Sequence, residues 1–570
     1  MFKQLALFMS VLCVIPYAGI TQSTYFNIHE EYAFQPPDGG GGAGIIVETD
    51  TEFVLIGEVY EYLFNWERFI RVLFVDKEGG FQSEKIYAQE FKQKGMSSRG
   101  FSSYGDNYYL CGTIRDTSGT VVAALYNFDE NFDTLAVWTY GDSGDFNSAI
   151  RVLPQEDGTF YLMGSTSRFG SNDMTLRKLD EEGNMLWENF WGGNGNESVR
   201  GFVPSAEAGK FIISGATTSY GNPRKGFVAK IDTLGNQDWI TFLGNPLYNE
   251  FMLQTLRLSD DNYLVYGSYI EFINGAGNAE TRSVAYKVDE EGNVLWERKL
   301  GDTNTNTQFV SAHQLPNGNI VLAGNTFNIW GTLTQITLDG DSLWMRKFSH
   351  YPNNSLPPVA QLTRDMIPTQ DGGFITTGWV DAQSIGGTQD MWAVKFNCLG
   401  YDSMPEPQFS YTIAPDFEVL FTNESQRATT YLWDFEDGFL SNLEHPAYTF
   451  PDTGYYPVTL YAIACGDTVA FQDTVYISSA TSVQEVQKNQ LKLYPNPAQN
   501  EFFVEFTDQM ASEITVAIYN IMGQEVNSYS LPENNRLRIG TENWRNGLYL
   551  ITFKDKHGME IDKKKVVIRK

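Results

Sequence analysis

The residue types that most often carry catalysis are scarce in this chain and lie in no known catalytic spacing. The chain has five histidines, which are His29, His313, His350, His445 and His557. None of them forms an H-E-x-x-H pair, and the sequence contains no G-x-S-x-G nucleophile elbow and no phosphate-binding loop. We therefore predict no catalytic histidine, serine or cysteine, and no organic cofactor.

Carboxylates are the chemical groups that the sequence does supply, with 70 Asp and Glu residues. Two carboxylates at the right separation can hydrolyse a glycosidic bond, and a sequence does not reveal that separation. One local cluster, Asp434, Glu436 and Asp437, is a weak calcium candidate, because calcium prefers such oxygen ligands. The same cluster is typical of a turn cap, so both interpretations stay open.

The charge and the N-terminus together indicate an exported protein. A formal net charge of −30 argues against a nucleic-acid partner, because phosphate is repelled by such a surface. Lys3 precedes a short apolar run over residues 5–17, which predicts a signal peptide at residues 1–22. Thirteen apolar residues are too few to span a bilayer as a helix, and no later segment is apolar enough. We expect an extracellular or outer-surface location, reached through the periplasm.

Few cysteines remain once the signal peptide is removed, namely Cys111, Cys398 and Cys465. An odd number excludes a full disulfide framework, so packing must hold the fold together. Cys398 and Cys465 lie near a predicted domain junction. The sequence leaves open whether they pair or stay free and partly buried.

A repeat dominates the first 400 residues. Seven apolar strands end at glycines 51 to 57 residues apart, at positions 57, 112, 164, 215, 267, 324 and 378. Each repeat continues with a second strand, a tight turn and a third strand, as in "KLDEEGNMLW" at 178–187 and "KVDEEGNVLW" at 287–296. Four short strands per 50 residues is the period of propeller blades. The sequence predicts an all-β protein that begins with a seven-bladed β-propeller over residues 24–402.

Three details follow from this repeat. Asp180, Asp232 and Asp289 start the hairpins, and the recurring tryptophans are expected to pack between blades, with each indole N–H bonded to a carbonyl. These tryptophans are Trp187, Trp239, Trp296 and Trp344. The seventh repeat lacks its last strand, so we expect residues 24–34 to complete that blade and close the ring.

Loop lengths provide the main functional indication. The turns inside each hairpin are short and uniform, whereas the connections at the opposite edge are long and varied, such as "STSRFGSND" and "WGGNGNES". We call that edge the long-loop rim. It is the candidate binding face, because binding residues often lie on variable loops of a rigid scaffold; the alternative is that these loops simply tolerate variation. The repeat resembles propeller-type repeats of exported Bacteroidetes proteins, which implies a fold and an extracellular address but no single activity.

The segment after the repeat resembles a PKD domain, a small immunoglobulin-like β-sandwich, over residues 406–478. The matching residues include Trp433, Asp434, Phe435, Asp437 and Gly438, followed by "HPAYTFPDTGYYPVTLYA" from His445. Glu436 departs from the family, which usually has glycine there. The resemblance therefore predicts the fold and leaves the shape of that turn in doubt.

The last segment resembles the C-terminal sorting domain (type A) of type IX secretion substrates, over residues 488–570. Three blocks occur in order, and their motif residues are Tyr494, Pro495, Asn496, Pro497, Gly523, Gly547 and Tyr549. The resemblance implies a second small β-sandwich that the type IX secretion machinery reads and then cleaves. The cargo is then released or attached to the cell surface.

These observations favour an exported binding or adhesion protein that is not an enzyme. In this interpretation the long-loop rim engages a glycan or a protein. The alternative is a secreted hydrolase of polysaccharide or peptide that uses carboxylates on the rim.

Overall fold

The computed structural model describes most of the chain after the predicted signal peptide. The described residues are 27–30, 38–61, 67–87, 95–116, 118–142, 144–220, 224–245, 249–273, 278–301, 306–326, 330–349, 361–382, 388–478, 491–506, 514–520, 524–530, 536–554 and 560–569. The predicted signal peptide lies outside them. The chain divides into two compact units, one holding residues up to 412 together with 419–448 and 455–475, and the other holding the remainder.

Seven four-stranded antiparallel sheets, here called blades I to VII, occupy residues 27–396. Blade I consists of β2 (Asp38–Glu48), β3 (Glu52–Glu61), β4 (Glu67–Asp76) and β5 (Phe81–Tyr87). Blade II consists of β6 (Gly95–Tyr104), β7 (Asn107–Arg115), β8 (Val121–Phe128) and β9 (Thr134–Tyr140). Blade III consists of β10 (Asn147–Pro154), β11 (Phe160–Thr166), β12 (Asp173–Leu179) and β13 (Met185–Trp191). Blade IV consists of β14 (Glu197–Pro204), β15 (Lys210–Thr217), β16 (Lys225–Asp232) and β17 (Gln237–Leu243). Blade V consists of β18 (Asn249–Arg257), β19 (Tyr263–Ile273), β20 (Asn278–Val288) and β21 (Val294–Leu300). Blade VI consists of β22 (Thr307–Gln314), β23 (Ile320–Thr326), β24 (Trp330–Ile336) and β25 (Ser342–Phe348).

Blade VII is assembled from both ends of the repeat region. It consists of β26 (Gln361–Pro368), β27 (Phe374–Ala382), β28 (Thr388–Phe396) and β1 (Asn27–Glu30). β1 pairs antiparallel with β28, with Asn27 opposite Val394 and Glu30 opposite Met391. The first strand of each blade contacts the first strand of the next, and β26 contacts β2, so the sheets form a ring. The pairing of β1 confirms that the N-terminal segment completes the last blade, although residues 24–26 and 31–34 lie outside the described part.

Removing the closing strand should weaken the whole ring. We expect a chain that lacks residues 2–34 to melt roughly 5 °C lower than one that lacks only residues 2–23. Losing about 2 kcal/mol of strand pairing shifts the melting temperature of a large domain by about 2–4 °C per kcal/mol. Calorimetry of the two purified chains measures the difference. Equal melting temperatures would show that β1 contributes nothing to closure.

The repeated hairpin joins each blade to the one before it. A Cβ atom at Gly235 would lie 2.2 Å from the Trp191 ring, and one at Gly292 would lie 2.8 Å from the Trp239 ring, so only glycine fits. Both glycines also have a positive φ, which glycine tolerates without strain. The indole N–H of Trp191 donates to the Gly235 carbonyl at 2.6 Å. The glycine therefore serves both the turn and the packing between blades.

The predicted packing between blades is confirmed for all four tryptophans, and the predicted indole hydrogen bond to a carbonyl is confirmed for two of them. Trp239 donates to the Glu290 carbonyl at 3.2 Å and Trp296 to the Leu338 carbonyl at 3.4 Å, each in the following blade. In blade III this contact is made by Trp191, whereas Trp187 packs against Tyr161 inside the core between blades III and IV. The register of the outer strand decides which ring faces the next blade.

Two small β-sandwich domains follow the ring. The first has the sheets β29-β30-β33 and β32-β31-β34-β35, formed by β29 (Phe409–Ile413), β30 (Glu418–Asn423), β31 (Thr430–Asp434), β32 (Leu440–Ser441), β33 (Ala447–Thr449), β34 (Gly454–Ala464) and β35 (Asp467–Ile477). The second has the sheets β36-β37-β40 and β39-β38-β41-β42, formed by β36 (Leu491–Tyr494), β37 (Glu501–Phe506), β38 (Thr515–Asn520), β39 (Glu525–Ser530), β40 (Arg536–Gly540), β41 (Gly547–Lys554) and β42 (Glu560–Ile568). The all-β fold class is confirmed.

The cysteines resolve a point that the sequence left open. Cys398, just after the last strand of the ring, forms a disulfide with Cys465 of the first sandwich. The alternative of two free thiols at these positions is wrong. Cys111 is free and fully buried in the core between blades II and III.

Candidate functional site

The long-loop rim brings two acidic residues together between blades III and IV. Asp173 begins β12 at the end of one long loop, and Glu197 begins β14 at the end of the next. The backbone N–H of Glu197 donates to the Asn172 carbonyl at 2.7 Å, which joins the two strand ends directly. Both side chains are buried, with Asp173 3% exposed and Glu197 5% exposed. We call this arrangement the rim acid pair.

Polar groups hold the rim acid pair in place. Thr217 Oγ1 donates to Glu197 Oε1 at 2.7 Å, and the Ser219 hydroxyl donates to the same oxygen. The Gly193 N–H points at Glu197 Oε2 at 3.3 Å. Ser171 Oγ lies 3.4 Å from both carboxyl oxygens of Asp173. Glu197 therefore accepts three hydrogen bonds in a site shielded from water.

The glycines of "WGGNG" at 191–195 make room for this arrangement. A Cβ at Gly192 would lie 1.6 Å from Asp173 Oδ1, and a Cβ at Gly193 would lie 2.6 Å from the Ser219 side chain. A Cβ at Gly195 would overlap Thr218 and Ser219 in the same way. Any larger residue would displace the carboxylates or the hydroxyls that orient them. The loop sequence is thus adapted to the pair that it surrounds.

The two carboxyl groups lie close enough to affect each other electrostatically. Burial raises the pKa of Asp173 above its usual range, and the neighbouring Glu197 carboxylate raises it further. The two side chains lie within hydrogen-bonding reach of each other. A second negative charge at this place is unfavourable, so the site favours the protonated form of Asp173.

This assignment predicts how stability depends on pH. Because the pKa of Asp173 is raised on folding, the folded chain binds more protons and its stability falls as pH rises through that pKa. Asp173→Asn removes this loss, so its melting temperature relative to wild type should increase between pH 4 and pH 7. Asp180→Asn is the control, because a hydrogen bond from Asn184 lowers the pKa of Asp180 below its usual value of 3.8. Its effect on stability changes below that value, so the melting temperature of this variant relative to wild type should stay constant between pH 4 and pH 7. An equally flat curve for Asp173→Asn would contradict the raised pKa of Asp173.

A cavity of about 230 Å³ gives access to Glu197. Its lining includes Glu197, Thr217 and four aromatic residues, Phe190, Trp191, Tyr220 and Phe227. Tyr220 is 56% exposed and packs against Phe242, with ring centroids 4.9 Å apart. The rim acid pair therefore lies beside apolar surface that an organic ligand can cover.

A second cavity of about 380 Å³ lies beside the first, between blades II and III. Its acidic residues are Asp142, Asp145 and Glu188. Arg168 pairs with Asp142 at 3.1 Å, and its guanidinium lies 5.7 Å from the centre of the Phe190 ring. Phe169, which is 60% exposed, packs edge-on against Phe190. Phe190 lines both cavities, so together they form a continuous polar and aromatic surface.

Sequence reasoning named the two loops but missed the pair itself. The residues that begin the inner strands of blades III, VI and VII, at the position equivalent to Glu197, are the neutral Asn147, Thr307 and Gln361. Glu197 alone among these four carries a charge. Aligning the repeats on their inner strands would have singled it out. That Asp173 is its neighbour depends on how the blades pack.

The calcium candidates have local hydrogen-bond partners. Asp434 accepts the Glu436 N–H at 2.8 Å, and Asp437 accepts the Phe439 N–H at 2.9 Å, as turn caps do. Glu436 accepts hydrogen bonds from Thr459 and Gln472. Among the described residues no group of three His, Cys, Asp or Glu side chains is arranged to hold a metal. Calcium binding at these residues stays a prediction.

The sorting motif connects the two ends of the last domain. Asn496 Nδ2 donates to the Lys565 carbonyl at 2.9 Å, and the Val567 N–H donates to Asn496 Oδ1 at 2.8 Å. The flanking prolines, Pro495 and Pro497, both follow cis peptide bonds. The hydroxyl of Tyr494 donates to Glu505, that of Tyr549 donates to the Arg545 carbonyl at 3.0 Å, and Gly547 begins β41. Gly523 lies outside the described residues.

Comparison with protein families identifies both appended domains. Residues 407–478 match the PKD domain family, and residues 492–569 match the secretion system C-terminal sorting domain. The chain thus carries a C-terminal sorting domain of the kind that directs export by the type IX secretion system. Its destination is the cell surface or the extracellular space. No helix long and apolar enough to cross a membrane occurs in the described part of the exported chain, and no curated protein matches it.

Several solved structures are similar to the exported chain. One is an α-L-arabinanase from Penicillium chrysogenum complexed with arabinobiose, which is 13% identical, covers 50% of this chain and 90% of its own, and has a TM-score of 0.35. Another is an α-L-arabinofuranosidase from Fusarium graminearum with an iminosugar inhibitor, which is 12% identical, covers 66% of this chain and 98% of its own, and has a TM-score of 0.35. A third is a polysaccharide lyase, which is 11% identical, covers 66% of this chain and 98% of its own, and has a TM-score of 0.39. The prediction that the chain is not an enzyme is corrected by these matches, because they are enzymes of similar propeller architecture. At such identities and scores they assign no reaction to it.

Proposed function

We propose that the exported protein is a hydrolase whose rim acid pair performs acid–base catalysis on a peptide or a polysaccharide. The observation that supports this proposal is the contact of buried Asp173 with Glu197, which lines a cavity together with Phe190, Trp191 and Tyr220. A carboxyl group with a raised pKa next to a carboxylate that faces a cavity is typical of acid–base sites.

The roles of the two carboxyl groups follow from their hydrogen bonds. Glu197 is held by Thr217, Ser219 and Gly193 and acts as the base that removes a proton from water. On a peptide, the water oxygen bonds to the carbonyl carbon of the amide that is cleaved. Asp173 donates its proton to the leaving group as the bond to that group breaks. The proton on Glu197 then returns to Asp173 along their hydrogen bond, which restores the pair.

The short separation within the pair favours a peptide bond over a glycosidic bond. Retaining glycosidases place their two carboxyl groups about 5–5.5 Å apart and inverting ones about 6.5–9.5 Å apart. Asp173 and Glu197 lie within hydrogen-bonding reach and cannot flank a sugar from opposite sides. Carboxyl pairs that share a proton instead activate one water held by both groups.

A substrate panel tests this proposal. The purified full-length chain without residues 1–22 is incubated with unstructured peptides and with neutral and acidic polysaccharides, and products are detected by mass spectrometry. New chain ends in the peptide arm, or reducing ends in the polysaccharide arm, would support hydrolysis and identify the bond. Retention of a substrate without turnover would overturn the proposal and favour a binding or adhesion protein.

A further inference from the structure

The inner strands of the ring carry bulges that direct selected side chains toward its axis. The register shifts by one residue at the equivalent position in five of these strands, at Gly44, Ile150, Arg200, Val310 and Arg364. Such bulges re-aim side chains and often lie next to functional sites. Two of these five bulged residues are arginines, although the chain as a whole has a net charge of −30. This placement of cations at the centre of an acidic protein requires an explanation.

Several guanidinium groups meet at this place. Along β14, Glu197 and Val199 are buried toward blade III, whereas Ser198 and Arg200 alternate with them and are half-buried. Arg224 donates to Ser198 Oγ at 2.6 Å, which places its charge beside the same strand. Arg151 Nε donates to the Arg200 carbonyl at 3.2 Å.

Arg200 and Arg364 occupy the equivalent bulge position in the inner strands of blades IV and VII, which surround the axis of the ring. Burial lowers the pKa of Arg200, and the charges of Arg224 and Arg364 lower it further. Arg364 lies in blade VII and Arg200 in blade IV, on the far side of the ring, so the cluster lies at the axis. The nearby carboxylate of Asp365 already accepts hydrogen bonds from the Ile46 N–H at 3.2 Å and from Ser311 Oγ at 3.0 Å.

Arg200 is the member of the cluster that lacks a counter-charge. Within the described part of the chain, its guanidinium donates no hydrogen bond and forms no ion pair. A half-buried cation beside two others is unfavourable unless an anion neutralises it. The planar guanidinium matches carboxylate, sulfate and phosphate groups through paired hydrogen bonds.

We propose that Arg200, Arg224 and Arg364 form a binding site for an oxyanion group of a ligand that enters the ring from the long-loop rim. The residue spacing along β14 puts Arg200 roughly 10 Å from Glu197, and their side chains face opposite sides of the strand. The oxyanion site is therefore separate from the rim acid pair and does not depend on catalysis there.

Calorimetric titration of the purified chain with glucuronate, sulfate and phosphate, each at low and high salt, tests the site. We expect at least one of these anions to bind, and Arg200→Gln to weaken that binding at least tenfold. Arg200→Lys keeps the charge but loses the paired geometry, so it should bind with intermediate affinity. Arg168→Gln is the matched control, because Arg168 lies at the rim and pairs with Asp142. Which anion binds identifies the ligand chemistry.

Thermal melting of the same variants shows whether each of them folds. Without anions, Arg200→Gln should melt at or above the wild-type temperature, because a repulsive charge is removed. The anion that binds should raise the melting temperature of wild type and of Arg168→Gln, but not that of Arg200→Gln. The proposal is overturned if none of the three anions binds wild type, or if the two glutamine variants bind alike.

Discussion

Replacing Glu197 by glutamine is expected to lower the rate of substrate hydrolysis by about 100-fold or more, while the chain still folds. The amide keeps the size of the side chain and its contacts with Thr217 and Ser219, but it cannot remove a proton from water. Loss of a general base typically lowers the rate by about 10²–10⁴-fold. The initial rate on the substrate identified by the panel measures the effect, with kcat and KM determined separately.

The controls separate catalysis from folding. Glu181→Gln changes an exposed carboxylate in the hairpin turn of blade III, at the edge opposite the long-loop rim, and should leave the rate unchanged. Asp173→Asn removes the proposed acid, so we expect it to lose most of the rate, and we expect wild type, but not this variant, to lose activity as Asp173 ionises at high pH. A Glu197→Gln chain that melts like wild type and hydrolyses at the wild-type rate would refute the rim acid pair as the catalytic site.

Much of the ring could be predicted because its determinants are local and recur. The hairpin aspartates and glycines recur in the turns "DEEGN" and "DTLGN". The missing last strand of the seventh repeat pointed to the N-terminal segment that provides β1. What the sequence did not provide is register. Trp187 and Trp191 lie on the same strand, and only the geometry of blade III places Trp191, not Trp187, against Gly235.

The rim acid pair could not be predicted for a related reason. Asp173 and Glu197 are separated by two strands and a hairpin, and their contact depends on the packing of blade IV against blade III. The arginine cluster is even harder to predict from the sequence. Arg200 and Arg364 are 164 positions apart and come near each other only because the ring closes. Long-range electrostatic contacts of this kind leave no periodic signal.

The departure noted in the PKD domain has a physical explanation. Glu436 adopts a φ of 61°, in the left-handed region that favours glycine, which is the residue that the family usually has there. Its carboxylate offsets part of the strain by accepting hydrogen bonds from Thr459 at 3.1 Å and Gln472 at 3.2 Å. The turn is preserved although its usual residue is absent. The disulfide between Cys398 and Cys465 likewise fits a protein that is exported through an oxidising compartment.

Removal of residues 488–570 is expected to abolish appearance of the protein outside the cell and to leave it in the periplasm. The predicted signal peptide is retained and should still direct the first step of export, but the domain that the type IX machinery reads is gone. The disulfide and the ring are unaffected, because Cys398, Cys465 and all seven blades precede the deletion. Immunoblots of culture medium, cell surface and periplasm measure the distribution.

A point substitution tests whether the folded domain, and not only its presence, is required. Asn496 bonds to the backbone of Lys565 and Val567 and so fastens the first strand of the sorting domain to the last. Asn496→Ala should therefore reduce the exported fraction. Asn527→Ala, at an exposed position in the same domain, removes only a hydrogen bond to Tyr529 and should not. Full export of the chain that ends at residue 487 would show that another segment carries the sorting information.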